Sequence, residues 1–140
     1  MKPKLSTFSS IKLKAFTLNE MLIVLIIIGI LILLAVPSLM PLISKTRATE
    51  AKLQLNTLYT LERTFFYENA KYSASLADVG FEQQKLSTEG GQANYRIEII
   101  EATEKSFKAR ATAVADFDAD GIFNIWEIDQ ENQLKEIEKD

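Results

Sequence analysis

Three aspartates at alternate positions, Asp116, Asp118 and Asp120, are followed by Gly121, Asn124 and Glu127. They fall at positions 1, 3, 5, 6, 9 and 12 of the calcium-loop pattern, with the Ile122 carbonyl at position 7. A hard divalent cation takes six to eight oxygen ligands. Closely spaced carboxylates supply them and Gly121 permits the sharp turn, so Ca2+ is the one cofactor the sequence suggests. The flanking segments read as strands and not as the helices of an EF-hand. An acidic turn between strands would also favour Asp and Gly by turn chemistry alone. Both readings stand at this level. A further carboxylate, Glu20, heads a long apolar run, where an acid is costly and is functional by default. It is either solvated at an interface or in need of a positive partner, and no Lys or Arg follows within two turns of it.

Other site chemistry is scarce. The chain has no histidine and no cysteine, which removes the commonest general base and every Ser-His-Asp or Cys-His nucleophile. No catalytic arrangement of carboxylates or lysines stands out, so no enzyme is expected. Of 16 basic residues, Lys2, Lys4, Lys12 and Lys14 precede Glu20, and no acid does. Without those four, 12 basic residues face 19 acidic ones, a formal charge of −7. Such a domain repels a phosphate backbone, and no nucleic-acid partner is expected.

The element that positions Glu20 is the run Met21–Val36, which carries no charged or hydrogen-bonding side chain. Extended back to Phe16 it spans about 31 Å as a helix, enough for a bilayer core. A helix apolar on every face has lipid or other protein as its solvent. The lysines before it place the N-terminus in the cytoplasm. An ordinary secretory signal fits poorly, because Pro37 stands where a small residue is wanted for cleavage.

The stretch Lys14-Ala-Phe-Thr-Leu-Asn-Glu-Met-Leu22, followed by an apolar helix, resembles the class III signal of type IV prepilins. The resemblance extends over about residues 10 to 81, through an aromatic cluster and a loop with Tyr72, Leu76 and Gly80-Phe81 anchors. It implies cleavage of a basic leader, residues 1–15, between Ala15 and Phe16, where the family usually has Gly before the cut. It implies N-methylation of Phe16 and a registry role in assembly for Glu20, the fifth residue of the processed chain. Asn19 replaces a residue usually apolar in the family. The implied partners are a homo-oligomeric filament, the inner membrane before assembly, a prepilin peptidase, an assembly platform and an ATPase. The implied location is a single-pass inner-membrane precursor, then an extracellular pilus or a periplasmic pseudopilus. A pseudopilin of a type II secretion system and an uncleaved membrane-anchored binding module remain as alternatives.

The expected fold is α+β and pilin-like: a long helix from about residue 16 to 70, on whose second half a three- or four-stranded antiparallel sheet packs. Residues 16–44 form the apolar helix half and 45–71 the amphipathic half. The head, 72–140, has a connecting loop over 72–92 and the sheet over 93–140. Pro37 and Pro41 each remove a helical N–H and invite a kink. Ala48, Ala51, Leu55, Leu58 and Phe65 share one helical face, with Lys45, Arg47, Glu50, Lys52, Gln54 and Glu62 mostly on the other. Alternating patterns predict strands over 95–101, 107–114 and 122–129, with Trp126 and Ile128 facing inward. Helix–sheet packing accounts for the aromatic cluster Tyr59, Phe65, Phe66 and Tyr67 without electron transfer.

Overall fold

The computed structural model describes residues 15–117 and 119–139, with Met40 described by its backbone alone. The leader lysines and Asp118, both singled out above, lie outside the described residues. Among the described residues one α-helix, a short 3-10 turn (Ser87–Glu89) and four strands make up the fold: α1 (Leu18–Asn69), β1 (Tyr95–Ala102), β2 (Phe107–Ala113), β3 (Ile125–Asp129) and β4 (Leu134–Glu138). The layout is the expected α+β one. Two compact units divide the chain, the first ending at Pro37 and the second beginning at Ser38.

In the first unit α1 opens on a capping box. The Thr17 hydroxyl accepts from the Glu20 N–H at 3.2 Å, and Glu20 Oε2 accepts from the Thr17 N–H at 2.8 Å. Every described residue from Ala15 to Pro37 is exposed. Leu and Met favour helix through low rotamer cost, whereas the β-branched Ile residues lose χ1 freedom there, and no described residue of this unit covers the face they present.

In the second unit the sheet is an antiparallel meander in the order β1-β2-β3-β4. β2 alternates strictly, with Phe107, Ala109, Ala111 and Ala113 buried and the residues between them half-buried. These small inward residues leave room for Ala51, Leu55 and Leu58 of α1, all fully buried in one cluster with Tyr95, Ile97, Trp126 and Ile128. Large side chains on the helix thus pack over the alanines of β2. The alternation in β1 fails after Ile99, where a bulge shifts the register and leaves Ile100 exposed. The outer edge of β1 is covered by one side chain. The Gln83 amide accepts from the Ile97 N–H at 2.8 Å and donates to the Tyr95 carbonyl at 3.2 Å, which blunts an edge that would otherwise invite pairing.

Two expectations are corrected, and the sheet has the larger of the two expected strand numbers. The third strand begins at Ile125 and not at Ile122, because the Ile122 N–H is taken by the Asp120 carboxylate at 2.7 Å and cannot join the ladder. Phe123 also stays outside the strand, and both it and Ile122 are exposed. β4 has no apolar alternation and is half-buried only at Leu134; its pairing with β3 makes it a strand. Glu62 is on the inner face of α1, fully buried, and not on the solvated side. Its Oε2 accepts from the Ser73 N–H at 3.0 Å, while Oε1 is buried without a partner. The chain has just left the helix through Ala70 in a left-handed conformation, and Ser73 needs an acceptor there.

Gly91 is held in a tight loop whose N–H donates to the Leu86 carbonyl at 2.8 Å. A Cβ there would overlap the Lys85 carbonyl, which is backbone and cannot swing aside. Gly91→Ala should therefore cost about 1–3 kcal/mol of stability, read as a lowered midpoint in denaturant melts. Burial raises the Glu62 carboxyl above its ordinary range, against the opposing Ser73 bond. A raised folded value contributes stability that is complete below about pH 4.3 and is lost as pH rises through the folded value. Glu62→Gln should therefore melt higher than the parent at neutral pH and converge with it at about pH 4. Parallel melting curves at every pH would contradict this.

Candidate functional site

Residues that could act on a partner gather at three places: the head of α1, its exposed apolar surface, and the acidic turn before β3. At the head, the Thr17 hydroxyl also donates to Glu20 Oε2 at 2.9 Å, so one carboxylate oxygen accepts two bonds from the same residue. The sequence signal for this was present as Thr17-x-x-Glu20. The carboxylate thus has a third option besides solvation or a cationic neighbour: local satisfaction at its own helix terminus, where the macrodipole favours a negative charge. Phe16, next to it, is 77% exposed.

From Met21 to Leu34 the apolar side chains of α1 are exposed on every side. By length and composition this helix could cross a membrane. In the second unit Leu39, Leu42 and Ile43 are exposed as well, and Ser44 and Lys45 follow them in sequence. Helical geometry is assigned through both Pro37 and Pro41. Each proline lacks the N–H that would otherwise bond to the carbonyl four residues earlier, Leu33 or Pro37.

The acidic turn is built by its carboxylates acting on backbone. Asp116 Oδ1 accepts from the Ala119 N–H at 2.6 Å and Oδ2 from the Gly121 N–H at 2.7 Å. These bonds hold Ala119 and Gly121 at positive φ, 63° and 90°. Phe117 anchors the turn in the core, edge-on to Tyr95 and beneath the Arg47 guanidinium at 4.4 Å.

Two residues of the twelve-position pattern are committed elsewhere. Asn124 is buried, accepts from the Tyr95 hydroxyl at 2.8 Å, and donates to Glu136 and to the Glu138 carbonyl. It ties β1 to β4. Glu127 lies opposite Arg110 on the outer face of the sheet, in a bond of 2.8 Å from Nε. Strand alternation forces this, because Trp126 and Ile128 take the inner face. Among the described residues no three acidic side chains gather as a metal-binding group.

The aromatic cluster packs as a bridge between helix and sheet. Phe66 stacks on Tyr72 at 4.8 Å, Tyr72 meets Phe107 at 5.0 Å, and Tyr59 meets Phe107 at 6.2 Å. Tyr67 stays exposed beside Arg63, which donates to the hydroxyls of Tyr59 and Tyr67.

No family model matches the chain. The chain is similar to the Type IV major pilin protein PilA of Myxococcus xanthus (strain DK1622), with 36% identity over 84 residues. Those residues make up 60% of this chain and 36% of that relative, so the chain matches about a third of the length of the curated protein. The match supports the resemblance to type IV pilins that Phe16, Glu20 and the apolar run carry.

Because Asp116 closes the turn through two backbone bonds, Asp116→Ala should lower stability by about 1–2 kcal/mol. The loss should appear in chelator-treated protein as well as in calcium. A destabilisation seen only with calcium present would contradict the turn-closing role.

Proposed function

We propose that this chain is a type IV pilin subunit that assembles into a filament through its apolar helix after its leader is removed. The observation that carries the reading is the exposed apolar surface of α1, headed by a single carboxylate, in a chain similar to a major pilin. Water is not a viable solvent for such a surface, since burying each Leu or Ile is worth about 1.5–3 kcal/mol. Lipid and sibling helices, however, are almost equally apolar. The hydrophobic effect keeps the helix out of water but does not choose between them. The choice falls to close packing and to the one polar group in the region.

In this reading, cleavage between Ala15 and Phe16 creates an ammonium on Phe16, which pairs with Glu20 of a neighbouring subunit. While the subunit is alone in the membrane, Thr17 satisfies Glu20 and lowers the cost of keeping an acid near lipid. On assembly the carboxylate exchanges that local bond for a charged partner, and the pairing fixes which turn of one helix faces which turn of the next. Pro37 and Pro41 supply the local freedom for the apolar half to adjust as it leaves the membrane. The head domains then form the filament surface, and the membrane peptidase, platform and ATPase are the machinery that this reading requires.

Glu20→Ala should leave membrane insertion unchanged and reduce incorporation into sheared surface filaments at least tenfold, measured by immunoblot of membrane and sheared fractions. Normal incorporation would remove the registry role. Electron microscopy of the sheared fraction separates a long pilus from a short periplasmic pseudopilus.

A further inference from the structure

A hollow of about 620 Å3 lies within the second unit, between the first turns of α1 after Pro41 and the β3–β4 end of the sheet. Ser44, Lys45 and Lys52 line one wall, at helical spacing on one face. Trp126, Glu136 and Lys139 line the other. Its charge is unusual for this protein. Among the described lining residues three lysines meet a single carboxylate, and Glu136 already accepts from Asn124 at 2.9 Å. Among the described residues none of the three ammonium groups forms an ion pair. From Leu53 onward the chain carries 9 basic and 17 acidic residues, so a cationic hollow is not the overspill of a basic head.

The Lys52 ammonium sits 4.2 Å from the centroid of the Trp126 ring. That indole is nine-tenths buried, and its Nε1–H donates to no acceptor among the described residues.

The placement identifies the anion. Within the second unit Leu39, Leu42 and Ile43 are exposed apolar residues up to the one before Ser44, and Lys45 follows at once. A helix whose apolar side chains end there presents its next residues at headgroup depth, where lysines reach phosphates from an apolar stem. Basic pockets at that depth suit phosphate-bearing lipid heads. We propose that this hollow binds the phosphate of an anionic phospholipid headgroup while the subunit is in the membrane. Lys45, Lys52 and Lys139 are the charge partners and the Ser44 hydroxyl is a donor. The proposal rests on the reading of α1 as membrane-embedded before assembly.

Trp126 is the only tryptophan in the chain, so its fluorescence reports on the hollow directly. The test reconstitutes the full chain in phosphatidylcholine bilayers and in the same bilayers with added phosphatidylglycerol. Phosphatidylglycerol should give a saturable change in Trp126 emission, and the half-saturating fraction should rise at least tenfold in a Lys45→Gln, Lys139→Gln double variant, which leaves Lys52 on the indole. Insertion into both bilayers with no lipid-dependent change, or no effect of the double variant, overturns the headgroup site alone. Failure to insert into either bilayer overturns the membrane reading and the site with it. The same change produced by inorganic phosphate overturns the lipid assignment in favour of a soluble anion. A change that follows protein concentration and not lipid overturns it in favour of an acidic segment of a second copy.

Discussion

An apolar helix with no covering surface of its own imposes the constraint from which the other features follow. Through Pro37 every described residue of the first unit is exposed. A helix of that composition cannot remain in water, and it gains little by moving between lipid and similar helices. What decides between those two environments must therefore be polar, geometric or both. Glu20 is the one charged group available within the apolar segment. Its bonds to Thr17 are local and exchangeable. A group satisfied well enough to insert, yet able to trade its partner for a charge, suits a subunit that has to occupy both environments in turn.

The head is organised around the opposite principle, a core closed by its own residues. The alanine face of β2 receives Ala51, Leu55 and Leu58, and the polar groups around this layer serve as ties. Glu50 accepts from both the Asn94 N–H and its side-chain amide, Glu62 accepts from Ser73, and Asn124 joins Tyr95 to β4. The first two ties join the helix to the loop after it and to the residue before β1, and the third joins the loop before β3 to β1 and β4. The second half of α1 is thereby fixed within a folded unit, while the apolar residues of the first unit stay uncovered.

Much of this was legible in the sequence because it rests on periodicity and composition. The apolar run, the helix from about 16 to 70 and the inward Trp126 and Ile128 all follow from spacing. What escaped notice depends on contacts made far along the chain. Glu62 looked like a solvated charge, and only the need of Ser73 for an acceptor explains its burial. β4 carries no pattern, because an edge strand held by backbone pairing needs no apolar face. The acidic turn matched a metal-loop pattern residue by residue, yet Asn124 and Glu127 are drawn away by Tyr95 and Arg110 on the two faces of the sheet. The Thr17–Glu20 box is visible as a spacing, Thr17-x-x-Glu20, although spacing alone does not show that the carboxylate is satisfied there.

In the proposed assembly the helix exchanges lipid for copies of itself once Phe16 is uncovered. The most direct measurement is N-terminal sequencing of membrane-extracted and sheared material, followed by sedimentation after detergent removal. The account predicts a sheared form that starts at Phe16 and enters large assemblies as detergent is withdrawn. Material that starts at Met1 and stays monodisperse without detergent would contradict it.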